Sequence, residues 1–200
     1  AYSGNDLGAT YTPEATTFKL WSPSATAVKL NLYATGSNQE DGAAKIDTYD
    51  MTKGSNAVWE YTVPRDLKNV YYTYSVTNDG KTVETCDPYA KAVGVNGERA
   101  MVVNLNSTDP EGWDSDNKFT RVANQTDASV WEIHVKDFSI DKSSGVSDAN
   151  RGKYLAFTEN GTTLNGEGKV STGVDYLKDL GINYVQINPF YDYGSVDETV

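Results

Sequence analysis

Cysteine and histidine are nearly absent from this sequence, and each scarcity removes a class of chemistry. The single cysteine, Cys86, allows no internal disulfide, and with no Cys or His cluster beside it there is no thiolate zinc site. It is expected to be a small, partly buried apolar residue. His134 is the one histidine, so any Ser/His/Asp or Cys/His catalysis would have to be built around it, and no G-x-S-x-G elbow accompanies it. Nucleophilic triads are therefore set aside. No D-x-D-x-D-G loop occurs, so no metal site is predicted from these residues. No run of about 18 apolar residues occurs either, which excludes insertion across a membrane as a helix. Basic residues are outnumbered, 17 Lys and Arg against 28 Asp and Glu, for a formal charge of −11. That field repels nucleic acid and anionic membranes and leaves a neutral partner unaffected. The acidic excess is spread along the chain, as for a solvated, soluble surface. The chain opens at Ala1 without a charged-then-apolar leader, which reads as a mature or trimmed start. Sequons at Asn106, Asn124 and Asn160 are of a kind common by chance in an Asn- and Thr-rich chain.

What is present is β-rich. Tyr, Thr, Val and Asn abound, residues that favour pleated strands and turns over helix. Over residues 17–105 short runs alternate with a period of two, as in an antiparallel sandwich. Thr17-Phe18-Lys19-Leu20-Trp21 closes at Ser22-Pro23. Ala27-Val28-Lys29-Leu30-Asn31-Leu32-Tyr33 puts Val28, Leu30 and Leu32 on one face and Lys29 and Asn31 on the other, the pattern of a half-buried strand. The runs 58–63 and 70–76 follow, Asn78-Asp79-Gly80 turns the chain back into 82–84, and 100–103 is the last of the set. Trp21 and Trp59 lie inside strand patterns, where core packing accounts for them.

Between residues 107 and 127 no period of two or 3.6 survives, which marks a domain boundary, and Trp113 is expected to pin this linker by burying its ring. Beyond it the pattern changes to strand (130–135), long polar Gly-bearing loop (139–162), amphipathic helix (171–180) and strand (182–188). Ser171 or Thr172 caps the helix, Val174, Leu177 and Leu180 share one face, and Gly181 ends it. The second strand stops at Pro189. This order is a βαβ unit and implies a parallel sheet. One such unit closes no barrel, so 128–200 reads as unfinished. The fold class is thus mixed, an antiparallel β-sandwich at 1–112, a linker at 113–127 and a first βαβ portion at 128–200.

Several segments resemble the α-amylase clan of glycoside hydrolases, and within it the type I pullulanases. Phe18-Lys19-Leu20-Trp21-Ser22-Pro23-Ser24-Ala25 is similar to the opening strand of the clan's immunoglobulin-like starch module (family 48), and Cys86-Asp87-Pro88-Tyr89-Ala90-Lys91-Ala92 resembles the segment that leads out of it. Thr108-Asp109-Pro110 to Trp113 looks like the linker into the barrel. Trp131-Glu132-Ile133-His134-Val135-Lys136-Asp137-Phe138-Ser139 is similar to the first strand of the pullulanase (β/α)8 barrel, with Lys136 where Arg is common. The run from Gly181 to Pro189 looks like the second barrel strand, and 191–199 resembles the loop beyond it.

The resemblance implies a retaining hydrolase of α-1,6 links in pullulan, branched starch or glycogen, secreted or on the surface of a bacterial cell. Alternatives within the clan are an isoamylase or a branching enzyme, and outside it a non-catalytic α-glucan-binding module. The clan's nucleophile, acid/base and third carboxylate lie beyond the fourth, fifth and seventh strands, so no catalytic residue is assigned here and this stretch alone is expected to be inactive. Substrate contact is expected at Asn188, Tyr191, Asp192 and Tyr193, after the second strand, where barrel loops build subsites, and at His134 and Asp137, near the end of the first. No cofactor is predicted, and the resemblance leaves room for calcium in the complete enzyme. Glycogen-binding members of the module use a Trp and a Lys at places held here by Val83 and Thr73, so their stacking surface is expected to be missing.

Overall fold

The computed structural model describes residues 2–116, 121–191 and 195–199. The chain divides into two compact units, one of residues 1–115 with 194–200 and one of residues 116–193.

The first unit is a two-sheet antiparallel sandwich. Strands β1 (Gly8–Tyr11), β2 (Thr16–Trp21), β5 (Thr52–Lys53) and β6 (Val58–Val63) form one sheet in the order β1-β2-β6-β5. Strands β3 (Ala27–Tyr33), β4 (Lys45–Asp50), β7 (Tyr71–Asn78) and β8 (Lys81–Thr85) form the other in the order β4-β3-β7-β8, and the short β9 (Ala100–Met101) pairs with β7. Alternation places Phe18 and Leu20 of β2 against Val28, Leu30 and Leu32 of β3 and Tyr72 and Tyr74 of β7, all in one buried cluster. Phe18 meets Tyr72 edge to face at 4.8 Å. Asp79 and Gly80 both adopt positive φ, the two-residue turn that suits the twist of the β7–β8 hairpin.

Three side chains sit where their strand patterns and apolar character do not predict. Asn31 does not face solvent: it is buried as deeply as its apolar neighbours, donating to Thr73 Oγ1 (3.2 Å) and Ser75 Oγ (2.9 Å) and accepting from Thr48 Oγ1 (3.3 Å). The side chains of Thr48, Thr73 and Ser75 on the flanking strands surround the amide, and their hydrogen bonds offset the cost of burying it. Trp59 is a core residue whose indole donates to the Ser22 carbonyl at 3.0 Å, but Trp21 stands on the outer face of its sheet, 42% exposed, its indole donating to Asn56 O. Trp113 buries little, being 59% exposed in a single 3-10 turn, Trp113–Ser115.

The second unit holds a parallel pair, β10 (Val130–His134) and β11 (Tyr184–Asn188), connected through a loop of 3-10 turns and the helix α1 (Gly173–Asp179). Leu177 is buried and Tyr176 meets Trp131 of β10 edge to face at 6.2 Å, so α1 packs on the strand pair as the βαβ pattern requires. The helical stripe is narrower than expected, with Leu180 exposed, because a two-stranded sheet offers little surface to cover it. Thr172 occupies the N-cap position, yet its hydroxyl donates to Ser144 O across the loop instead of capping. The regular structure as a whole is mostly antiparallel sheet, with one α-helix among the described residues.

Candidate functional site

In the sandwich, the registers of β3, β7 and β8 bring together side chains far apart in sequence. Asn31 pairs with Thr73 and Ser75 with Glu84, so Tyr33, Thr73, Ser75 and Glu84 share one face. A groove of about 620 Å³ opens there, lined by Tyr33, Thr73, Glu84, Cys86, Glu98 and Arg99 among others. Glu84 is its centre. Its carboxylate accepts from the Tyr33 hydroxyl and from Thr73 Oγ1 (2.6 Å) and pairs with Lys45 Nζ (3.0 Å). Burial presses this carboxyl upward, but the Thr73 and Tyr33 hydroxyls and the Lys45 ammonium outweigh it and hold it below the ordinary glutamate range. Burial of the Cys86 thiol pushes it up, as for an inert, partly covered side chain.

The groove has no free aromatic platform. Its one ring, Tyr33, is covered by the Arg99 guanidinium 3.7 Å from the ring centroid, and Arg99 is itself fixed by donating to Thr35 O (2.9 Å), Thr35 Oγ1 (2.9 Å) and Ala43 O (3.1 Å). Val83 pairs with Val76 and lies on the opposite side of β8 from Thr73. The residue of β8 that shares the Thr73 face is Glu84, one position on. Nothing in the local sequence marks Tyr33, Lys45, Glu84 and Arg99 as partners, since their proximity exists only once the sheet is paired.

Removing the Glu84 carboxylate tests this network. Glu84→Ala is expected to lower stability by about 1 kcal/mol at neutral pH, a figure discounted for the partial exposure of the ion pair. A depressed pKa contributes stability that is present above the unfolded value and lost as pH falls through the folded one. The gap between the two proteins, followed by urea unfolding, should therefore close below about pH 4.

In the second unit, the residues expected to face substrate fall at the C-terminal ends of the parallel strands. His134 and Asn188 are register partners, and the Val135 N–H donates to Asn188 O at 2.9 Å. Asn188 Nδ2 donates to Glu132 Oε1 (2.6 Å), and His134 Nδ1 accepts from the Lys136 N–H (3.2 Å). Asp137 has no hydrogen bond to either of them. It lines a separate pocket of about 290 Å³ with Ser139, Asp141, Thr172 and Tyr176. Tyr191 is the most exposed large hydrophobic side chain among the described residues, 80% open and edge to face with Phe190 at 5.1 Å. Asp192 and Tyr193 lie outside the described residues. The structure thus brings His134 and Asn188 together and leaves Asp137 apart. Among the described residues no group of three or more His, Cys, Asp or Glu side chains could hold a metal ion.

The sandwich with its D-P exit and the parallel pair behind it occur together in known proteins. Residues 6–90 match carbohydrate-binding module 48, the isoamylase N-terminal domain. The module 48 match covers β1 to β8, the whole of both sheets except β9. The similarity extends beyond it. The chain is 37% identical over 198 residues to the pullulanase of Bacillus subtilis, covering 98% of this chain and 25% of that one. It superposes on the pullulanase from Bacillus acidopullulyticus with a TM-score of 0.87 at 46% identity, covering 100% of this chain and 23% of that one. It superposes equally, at 0.87 and 42% identity, on the Paenibacillus barengoltzii pullulanase complexed with maltohexaose and α-cyclodextrin, covering 99% of this chain and 29% of that one. The chain therefore spans about a quarter of the length of these relatives, and module 48 accounts for the antiparallel half of the match.

Proposed function

We propose that this chain is part of a starch-debranching glycoside hydrolase of the pullulanase type, whose complete form hydrolyses α-1,6 links of pullulan, branched starch or glycogen by a retaining mechanism. In this reading residues 1–112 are the accessory sandwich, 113–127 a linker and 128–200 the opening of a (β/α)8 barrel. The observation that carries the barrel reading is the state of the β10–β11 sheet. Parallel sheets are buried on both faces, yet Val130 and Val185 are 57% and 41% exposed and each strand has an unpaired edge among the described residues. Such a pair calls for neighbouring strands and a further helical layer.

The chemistry follows from what a retaining glycosidase needs, a nucleophilic carboxylate and an acid about 5 to 5.5 Å apart at the C-terminal face of the barrel. His134, Asn188 and Tyr191 stand on that face in this reading and would serve substrate contact, with Asp137 supporting the loop beside them. None supplies a carboxylate pair. The secreted, bacterial location belongs to the same proposal.

Reducing-end release from pullulan tests it. A longer chain continuing along the span of the relatives should release reducing ends, and these 200 residues should release none above a blank. Activity in the short chain would mean that carboxylates within it do the chemistry, and would overturn the assignment.

A further inference from the structure

Two Asn-Gly steps in this chain adopt the same turn with different protection. Asn96 has φ 54° and ψ 17°, Asn165 has φ 54° and ψ 15°, and the following glycines, Gly97 and Gly166, both have φ 68°. Both turns carry the same backbone bonds: Gly97 N–H to Gly94 O (3.0 Å) and Glu98 N–H to Val95 O (3.2 Å) in one, Gly166 N–H to Thr163 O (2.8 Å) and Glu167 N–H to Leu164 O (3.1 Å) in the other. Both asparagines are exposed. The third Asn-Gly step, at Asn160, lacks the left-handed asparagine.

The side-chain amides differ. Asn96 Nδ2 donates to Asp197 Oδ1 at 3.0 Å, and its Oδ1 accepts from the Glu198 N–H at 2.9 Å. The Asn96 backbone N–H donates to Glu198 Oε2 at 2.7 Å. Asp197 is organised in turn, accepting from the Thr199 N–H (2.9 Å) and hydroxyl (2.7 Å). Residues 195–199 are thus strapped onto the sandwich turn within the first compact unit. The Asn165 amide has no hydrogen-bond partner among the described residues.

Asn-Gly steps deamidate because the glycine N–H is unhindered by any side chain. The glycine nitrogen attacks the asparagine Cγ, a C–N bond forms, the Cγ–Nδ2 bond breaks and ammonia leaves with the transferred proton. Water then opens the succinimide to aspartate or isoaspartate. The attack requires the amide to swing toward the glycine nitrogen, which partners at both of its ends oppose. We propose that Asn96 is a protected deamidation site whose conversion releases the strap at residues 195–199, and that Asn165 is its unprotected counterpart. An aspartate at 96 loses the donor to Asp197 and sets a third carboxylate beside Asp197 and Glu198, so the modification both removes a bond and adds like-charge repulsion.

Peptide mapping by mass spectrometry, on the folded 200-residue chain aged in mild alkali, reads both sites in one sample. Asn165 should convert roughly tenfold faster than Asn96, reflecting the two hydrogen bonds to the Asn96 amide. Asp197→Ala, which removes one partner without touching the turn, should bring the Asn96 rate toward that of Asn165. Equal rates at the two sites, or an Asn96 rate indifferent to Asp197→Ala, would overturn the protection. The strap is read separately by amide exchange in Asn96→Asp, a residue that tolerates the left-handed turn. Exchange at Glu198 should quicken roughly fivefold to tenfold with the rest of the sandwich unchanged. Exchange at the wild-type rate would overturn the release.

Discussion

Asp87→Ala is expected to cost the sandwich about 3 kcal/mol, because it strips the acceptor from a buried tyrosine pair. Asp87 is 4% exposed and accepts from the Tyr72 hydroxyl at 2.7 Å, from the Tyr89 N–H at 2.8 Å and, at the long limit of 3.5 Å, from the Tyr74 hydroxyl. Alanine leaves the buried Tyr72 and Tyr74 hydroxyls without this acceptor in a region closed to water, which costs more than the net worth of the bonds themselves. The pH dependence runs opposite to that of Glu84. Burial raises the Asp87 carboxyl above its ordinary value, and the bonds from Tyr72, Tyr89 and Tyr74 offset only part of that rise. Its folded state therefore binds the proton more tightly than the unfolded chain, and the stability it contributes declines as pH rises from the unfolded value through the raised folded one. Chemical unfolding of the two proteins should show a wider gap in mild acid than at neutral pH. A gap that narrows in acid would mean that Asp87 is held mainly as an ion.

Phe18→Ala should cost about 4 kcal/mol, the loss of a fully buried aromatic side chain together with the cavity it leaves. Phe18 meets Tyr72 edge to face, and Tyr72 carries the hydroxyl that Asp87 accepts, so the two substitutions act on one chain of contacts. Their effects should be non-additive by more than about 0.5 kcal/mol, as expected for residues coupled through a shared neighbour. Thermal and urea unfolding of both single variants and the double variant measure this directly. Additivity would mean that Tyr72 does not transmit strain between its two partners.

The alternation in β2 and β3 is legible in the sequence because a one-residue slip would carry Phe18, Leu30 and Leu32 out of the core. The βαβ grammar of the second unit is legible for a similar reason, since an amphipathic helix between two apolar runs has few other uses. The Asp79-Gly80 turn follows from residues that tolerate positive φ. The expectations for Trp113 and Trp21 failed because the apolar character of an indole says nothing about whether a neighbouring surface lies within its reach. Asn31 failed for the converse reason: a polar residue is buried once three hydroxyls are brought to it by strands β4 and β7.

The same division holds for the candidate sites. His134 and Asn188 could be placed at strand ends from the sequence, and the parallel register then made them neighbours. The Glu84 groove and the Asn96 strap could not have been found that way. Glu84 meets Tyr33 and Lys45 across a span of four strands, and Asn96 meets Asp197 and Glu198 across about half the chain. Strand periodicity, turn chemistry and helix signals are short-range properties, so the sequence by itself determined the element types, the sandwich core and the βαβ order. Which polar side chains meet, which indoles are covered and which asparagine amide is held were decided by the tertiary structure alone, because those contacts depend on sheet register and chain return over separations that no local pattern encodes.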